Sequence, residues 1–479
     1  MIYAAIKKNI QLLDYFTSAA LLAAGILFLM AWFRVVPVSD TAIRALPLSA
    51  AFREGAVEEK VDIKGSYVRF SGLPSALPGV WTGFRGKNGD NVSLEAVPLK
   101  TVPGGPGFPV KWSVKLGEGY AGAAVNNGCV YVLDYDNEKQ SDALRCFSLD
   151  DGREIWRRSY RIPIKRNHGY SRAVPAVSDK YAVSMGPKGQ VMCVDALSGD
   201  FKWGLDLEAE FKTSVPLWYS GQCPLIDSST AVLAPGGSAL LAGVDLETGK
   251  VAWQTPNSGN FEMSHSSVIP MTFFNKRMYV YCAIGGMTGV SAEDEDRGSI
   301  LWQTEEWTHA VICPSPVKVL EDRILVTAGY GAGSMMFQVS RDEKGFFVKK
   351  LFSLEKSVFA CEQQTPVFYK GRMFTVLPGD AGELNHQLVC ASADGKILWK
   401  SGMQKRFGLG PFVIADDKIF VLDDNGTLTI AEAGSDKYSE LASVKVLKGK
   451  ESWGPIAVAA GRMILRDYNE MVCLDLNRK

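Results

Sequence analysis

The chain has 479 residues, about three times a typical domain, which allows one large domain or a few small ones. Its 52 Lys and Arg balance 52 Asp and Glu, so no basic field is available and nucleic acid is not expected as a partner. Hydrophobic residues at 47% and charged residues at 22% argue against disorder, four histidines are too few for a multi-histidine metal centre, and 47 glycines point to many turns between short strands.

Residues 15–33 (YFTSAALLAAGILFLMAWF) carry no charge over 19 positions. As a helix rising 1.5 Å per residue, this run about spans a hydrocarbon core of roughly 30 Å. Lys7 and Lys8 precede it, Arg34 follows it, and Trp32 sits near the far end as an interfacial anchor. A cleaved signal peptide has a shorter apolar core and a small-x-small site, whereas RVVPVS follows here. No cysteine precedes Cys129, which excludes lipidation at a processed N-terminal cysteine. Residues 1–36 are therefore expected to be an uncleaved N-terminal transmembrane anchor, a signal anchor with the N-terminus inside. Residues 37–110 read as a linker, with a weak helical pattern over 41–60 and a Pro/Gly-rich connector, PLKTVPGGPGFP, at 98–109.

From residue 111 onward the chain repeats itself. A Gly-x-x-x-Trp element places its tryptophan at Trp156, Trp203, Trp253, Trp302 and Trp399. Counting from Trp112, the spacings are 44, 47, 50, 49 and 97, the last being two units with the middle Trp replaced by Leu351 or Phe352. Prolines recur just before apolar strands, at Pro175, Pro224, Pro316, Pro366, Pro411 and Pro455. Apolar runs behind a turn begin at Val130, Tyr181, Ala231, Met278, Ile324, Met373, Ile419 and Met463. All three patterns have one period.

Each period reads as four short strands. The proline opens an inner strand, where no ladder donor is needed. The third strand ends in Asp-x-x-Ser/Thr-Gly, as at Asp195 and Gly199, which is hairpin chemistry, and the Trp lies on the fourth. Units of this size and number predict an all-β, eight-bladed β-propeller over residues 111–479, preceded by the N-terminal transmembrane helix. The final unit supplies three strands, and the KWSVKL strand at 111–116 has no unit before it. It is expected to complete the last blade and remove an open edge.

GVDLETGKVAW at 243–253 and CVDALSGDFKW at 193–203 resemble the pyrroloquinoline-quinone-type repeat. That repeat is shared by quinoprotein alcohol dehydrogenases and by the propeller of the bacterial outer-membrane assembly factor B. WTGFRGKN at 81–88, with Lys111, Trp112 and Gly117 to Tyr120, is similar to the opening of bacterial quinoprotein-like propellers, many of them membrane-bound or exported. The resemblance implies the fold rather than a chemistry, because the repeat Trp and Gly are structural in every member. Many of the dehydrogenases that share the repeat set an adjacent Cys-Cys pair against the quinone, with a calcium-type site and an Asp base. This chain has no adjacent cysteines and no identifiable ligand set.

The tryptophans are expected to pack blade against blade. Cys146, Cys193, Cys390 and Cys473 share one third-strand position and read as small buried fillers. The acidic run at 293–296 (Glu-Asp-Glu-Asp) resembles a calcium cluster but lies on a hairpin turn and reads as a solvated face. Tyr120, Tyr170, Arg172, His265, His309, Gln364 and Trp453 fall near inner-strand starts, where propeller loops line a central funnel, and are the binding candidates. No catalytic, cofactor-binding or metal residue is assigned, and pyrroloquinoline quinone is disfavoured as a cofactor. The expected function is a membrane-anchored, periplasmic scaffold that binds an unidentified protein or polymer on one propeller face. The alternatives are a quinone-dependent dehydrogenase and a carbohydrate- or polymer-binding propeller.

Overall fold

Gly and Trp recur because the motif glycine of one repeat packs against the tryptophan of the repeat before it. The computed structural model describes residues 21–28, 30, 60–94, 108–167 and 169–476. The chain divides into two compact units, 1–60 and 61–479. In the first, residues 21–28 and 30 are helical. No helix among the described residues is long and apolar enough to cross a membrane. The rest of the 15–33 run, the 41–60 pattern up to residue 59 and most of the 98–109 connector lie outside the described residues.

The second unit is an eight-bladed β-propeller. Blade one runs outward through Ala124–Asn126, Cys129–Asp136, Ser141–Ser148 and Glu154–Arg161. Blades two to seven repeat that antiparallel order, ending with Phe412–Ala415 to Glu440–Lys445. Blade eight takes Ala457–Ala459, Arg462–Arg466 and Glu470–Asp475 from the C-terminal end and Val110–Lys115 as its outer strand. Trp112 stands opposite Cys473 in that pairing, so the ring closes as the orphan strand predicts.

A small residue faces each outer-strand tryptophan: Cys146 faces Trp156, Cys193 faces Trp203, Gly243 faces Trp253, Gly289 faces Trp302 and Cys390 faces Trp399. A bulge follows in every one of these pairs, twisting the outer strand. The indole N–H then reaches the next blade: Trp112 donates to the Leu149 carbonyl at 3.0 Å, Trp156 to Ala196 at 3.2 Å and Trp203 to Leu246 at 3.0 Å. The motif glycine of that next blade lies on the ring. A Cβ on Gly199 would sit 2.6 Å from Trp156, and one on Gly249 would sit 2.5 Å from Trp203. In blade five the replacement is Phe352, which faces Met336 and lies under Gly395, while Leu351 is the bulged residue.

Gly199 also has φ of 76°, so alanine there suffers both a left-handed backbone and a clash. Gly199→Ala is expected to cost roughly 2–4 kcal/mol, about 1–2 from the backbone and the rest from overpacking. Urea unfolding measures this, and an unchanged midpoint would contradict the ring–glycine contact.

A second belt runs around the axis two residues before the inner strands of blades two to six. The Cys223 N–H donates to the Ser267 hydroxyl, Ser267 N–H to Ser315 and Ser315 N–H to Thr365, each at 2.9 Å. The chain of bonds begins with Val174 N–H donating to the Cys223 sulfur at 3.2 Å. Short polar side chains thus satisfy buried amides from blade two to blade six.

The stretch expected as linker differs from that reading, because residues 61–93 belong to the propeller's own unit. Ser66–Arg69 adds a fifth, outermost strand to blade one. Residues 81–93 cross the axis. Trp81 exchanges main-chain bonds with Val125 of blade one, and Thr82 accepts from Val177 of blade two. Arg85 donates to the Thr365 and Pro366 carbonyls at blade six, both at 3.0 Å. Val92–Ser93 lies parallel to the inner strand of blade seven. The crossing has no repeat signal because each of its contacts is made to a different blade.

Candidate functional site

The loops that lead into the inner strands form a mouth. Tyr120 enters it from blade one, its N–H held by the Ser171 carbonyl at 2.7 Å. Its hydroxyl donates to Glu451 at 2.6 Å, and its ring lies 5.0 Å from Trp453. Burial, then the Glu451 bond, pushes the Tyr120 phenol well above its ordinary pKa. The Trp453 indole donates to Asp424 at 2.6 Å, and the Trp453 carbonyl accepts from the Gln364 amide at 2.9 Å. Three predicted residues, Tyr120, Gln364 and Trp453, therefore form one wall, each tied to another part of the propeller.

Arg172, next to the Ser171 that holds Tyr120, continues the lining toward His265. Arg172 donates to the carbonyls of Asn167 and Gly169, the second at 3.3 Å. Burial pulls its pKa down to about 10, with partial restoration from Cys313, Tyr120 and Tyr219. His265 is pulled down to about 4 by burial and then by the Arg172 charge, so it is neutral near pH 7. Its ring stacks on Trp218 at 6.5 Å and 19°, and Trp218 lies 5.8 Å from Tyr330. Burial pushes the Cys313 thiol up to about 12, which leaves it a poor nucleophile at neutral pH.

The two other predicted residues belong to the walls. Tyr170 stacks flat on Tyr135 at 4.4 Å and 10°, and its hydroxyl donates to Asn137 at 2.8 Å. His309 meets Trp307 edge-on at 4.4 Å, and burial lowers its pKa.

Sequence reading missed Trp218, Tyr330 and Glu362. Trp218, Tyr219 and Tyr330 have φ of 70°, 72° and 56°, a left-handed backbone that bulky side chains rarely adopt. Tyr330 is 54% exposed. Burial, Cys313 and then Glu362 raise its phenol pKa. The available signals were Pro216 shortly before Trp218 in an irregular inter-blade loop and the glycines that flank Tyr330.

Among the described residues, no three His, Cys, Asp or Glu side chains converge to hold a metal ion. In the 293–296 run, Glu293 and Asp296 hold Lys276 at 3.1 and 2.7 Å, and Asp294 pairs with Arg297.

The family model described as outer membrane protein assembly factor BamB matches residues 109–215 and 140–340. Over those residues the chain carries a quinoprotein-like β-propeller repeat. Solved quinoprotein-like propellers agree in fold. BamB from Moraxella catarrhalis aligns at 13% identity and a TM-score of 0.50, over 77% of this chain and 99% of its own. The quinohemoprotein alcohol dehydrogenase from Comamonas testosteroni aligns at 13% identity and 0.58, over 84% of this chain and 81% of its own. A europium-containing methanol dehydrogenase aligns at 12% identity and 0.54, over 83% and 89%. No curated protein matches the sequence. At these identities the likeness concerns the propeller alone.

Proposed function

We propose that this quinoprotein-like propeller is a non-catalytic binding or assembly scaffold, held to a membrane by residues 15–33 with the propeller on the periplasmic side. The observation that carries the reading is the Trp218–Tyr330 pair. Two large rings are kept in unfavourable backbone conformations at the mouth, with Tyr330 open to solvent. Such strain costs roughly 1–3 kcal/mol per residue and is kept where a surface must be presented. The uncharged 19-residue run supports the anchor. The likeness to BamB, a protein described as an outer membrane assembly factor, supports a scaffold outside the cytoplasm.

The residues at the mouth do not fit the quinone of the dehydrogenases. That cofactor carries three carboxylates, whereas Arg172 is spent on two main-chain carbonyls and Asp424, Glu451 and Glu362 bring negative charge. Three desolvated carboxylates facing one engaged cation would cost several kcal/mol.

Two measurements on one preparation test the proposal. Protein supplied with calcium and excess pyrroloquinoline quinone is expected to show no alcohol- or aldehyde-dependent dye reduction and no Kd below about 10 µM, roughly −7 kcal/mol. Photo-crosslinkers at positions 218 and 330, in membranes, are expected to capture one common partner that a crosslinker at the outer-wall residue Leu197 does not. Tight quinone binding that Arg172→Ala weakens would replace the scaffold with a dehydrogenase.

A further inference from the structure

We propose that the closed end of the propeller carries a second ligand site, independent of the mouth, that takes a small multivalent oxyanion of the diphosphate class, free or as a lipid headgroup. The site is a cavity of about 440 Å³ between the crossing segment and the inner strands of blades four to six. It has room for about a dozen waters or one small organic anion.

Its lining is basic. Arg85, Lys87, Arg277 and Lys318 face it, with Asp90 as the carboxylate among the lining residues and Phe368 part of its apolar wall. Arg85 is 4% exposed, and its bonds go to main-chain carbonyls: Gly89 at 2.8 Å, Thr365 and Pro366 at 3.0 Å, and Asp90 at 3.2 Å. Carbonyl dipoles satisfy its donors without cancelling its charge. Burial accordingly pulls its pKa down to about 10, with Asp90 offsetting part of the effect. Buried charge is ordinarily paired with opposite charge, and no ion pair to Arg85 occurs among the described residues.

The neighbouring cations are only partly neutralised. Arg277 pairs with Asp227 at 2.6 Å. Lys318 lies over the Phe273 ring at 5.3 Å and pairs with Glu321 at 3.7 Å, a carboxylate almost fully in solvent. Lys87 is exposed at the rim. A bound oxyanion would bring compensating charge to Arg85 and engage Lys87 and Lys318 as movable point charges. A single monovalent anion would leave most of this field uncompensated, which is why the multivalent class is assigned.

The site depends on residues 85–90, which lie outside the repeats, and it shares no lining residue with the mouth. It therefore stands or falls independently of the scaffold proposal.

Calorimetry on the full chain in neutral detergent tests it, with diphosphate in one arm. The other arm compares geranyl diphosphate, a lipid carrying the same headgroup, with geraniol, both at concentrations below micelle formation. The expected result is saturable one-to-one binding of diphosphate at physiological salt, weakened at least tenfold in the Lys87→Ala/Lys318→Ala variant. Neither side chain is buried, so the variant should melt with the parent protein. Binding of geranyl diphosphate alone, lost in the same variant, would support the site and identify the source as a lipid headgroup. No saturable binding of either anion, or equal binding by the variant, would overturn the proposal.

Discussion

A chain lacking residues 1–60 is expected to melt within about 2 °C of the full protein, whereas one lacking residues 1–118 is expected to aggregate rather than fold. The first cut falls at the boundary between the two compact units. The second removes Val110–Lys115, the outer strand of blade eight, and leaves Glu470–Asp475 as an open edge. It also takes Trp112, which is buried under Gly152 and bonded to the Leu149 carbonyl of blade one. Losing a buried tryptophan alone costs about 3–5 kcal/mol, against a total stability of about 5–15 kcal/mol. The crossing segment goes too, with buried Trp81 and the Arg85 bonds to blade six. Thermal melts followed by circular dichroism and light scattering distinguish the two truncations. Equal melting would mean that neither the closing strand nor the crossing segment holds the ring.

Asp142→Asn is expected to flatten the pH dependence of stability and to stabilise the protein above neutrality. Asp142 is 1% exposed; one carboxylate oxygen accepts from the Tyr160 hydroxyl at 3.0 Å. Among the described residues the other oxygen has no hydrogen-bond partner. Burial pushes its pKa up to about 7 from an ordinary 3.8. The folded state thus holds this proton more tightly than the unfolded chain does. The associated stability is fully present below about pH 4 and is lost as pH rises through 7. Between pH 5 and pH 8 the parent is expected to lose about 2.5 kcal/mol more than the variant. Tyr160 can still donate to the amide oxygen, so the variant keeps its main contact. Urea titrations at the two pH values measure the difference, and parallel profiles would show that Asp142 does not titrate in this window.

The strand period, the number of blades and the ring closure were legible in the chain alone. A blade is local: its hairpins, its Gly on the neighbouring Trp and the small residue facing that Trp recur every 44 to 51 positions, so periodicity alone encodes them. The same logic identified Cys146, Cys193, Cys390 and Cys473 as packing residues, and each faces an outer-strand tryptophan. Position within a repeat could also bring Tyr120, Gln364 and Trp453 to one wall and Arg172 beside His265. It could not say that Tyr170 and His309 would turn into the walls, since loops of equal register differ in rotamer and length. Nor could it find Trp218 and Tyr330, which sit in irregular loops, or the charge balance around Arg85. The 81–93 crossing was the least legible element, because it is built from single contacts to blades far apart in the chain and near each other only once the ring has closed. Repetition determined the scaffold, because each repeat interacts with its neighbour. The sites required the tertiary structure, because each joins residues that no repeat relates.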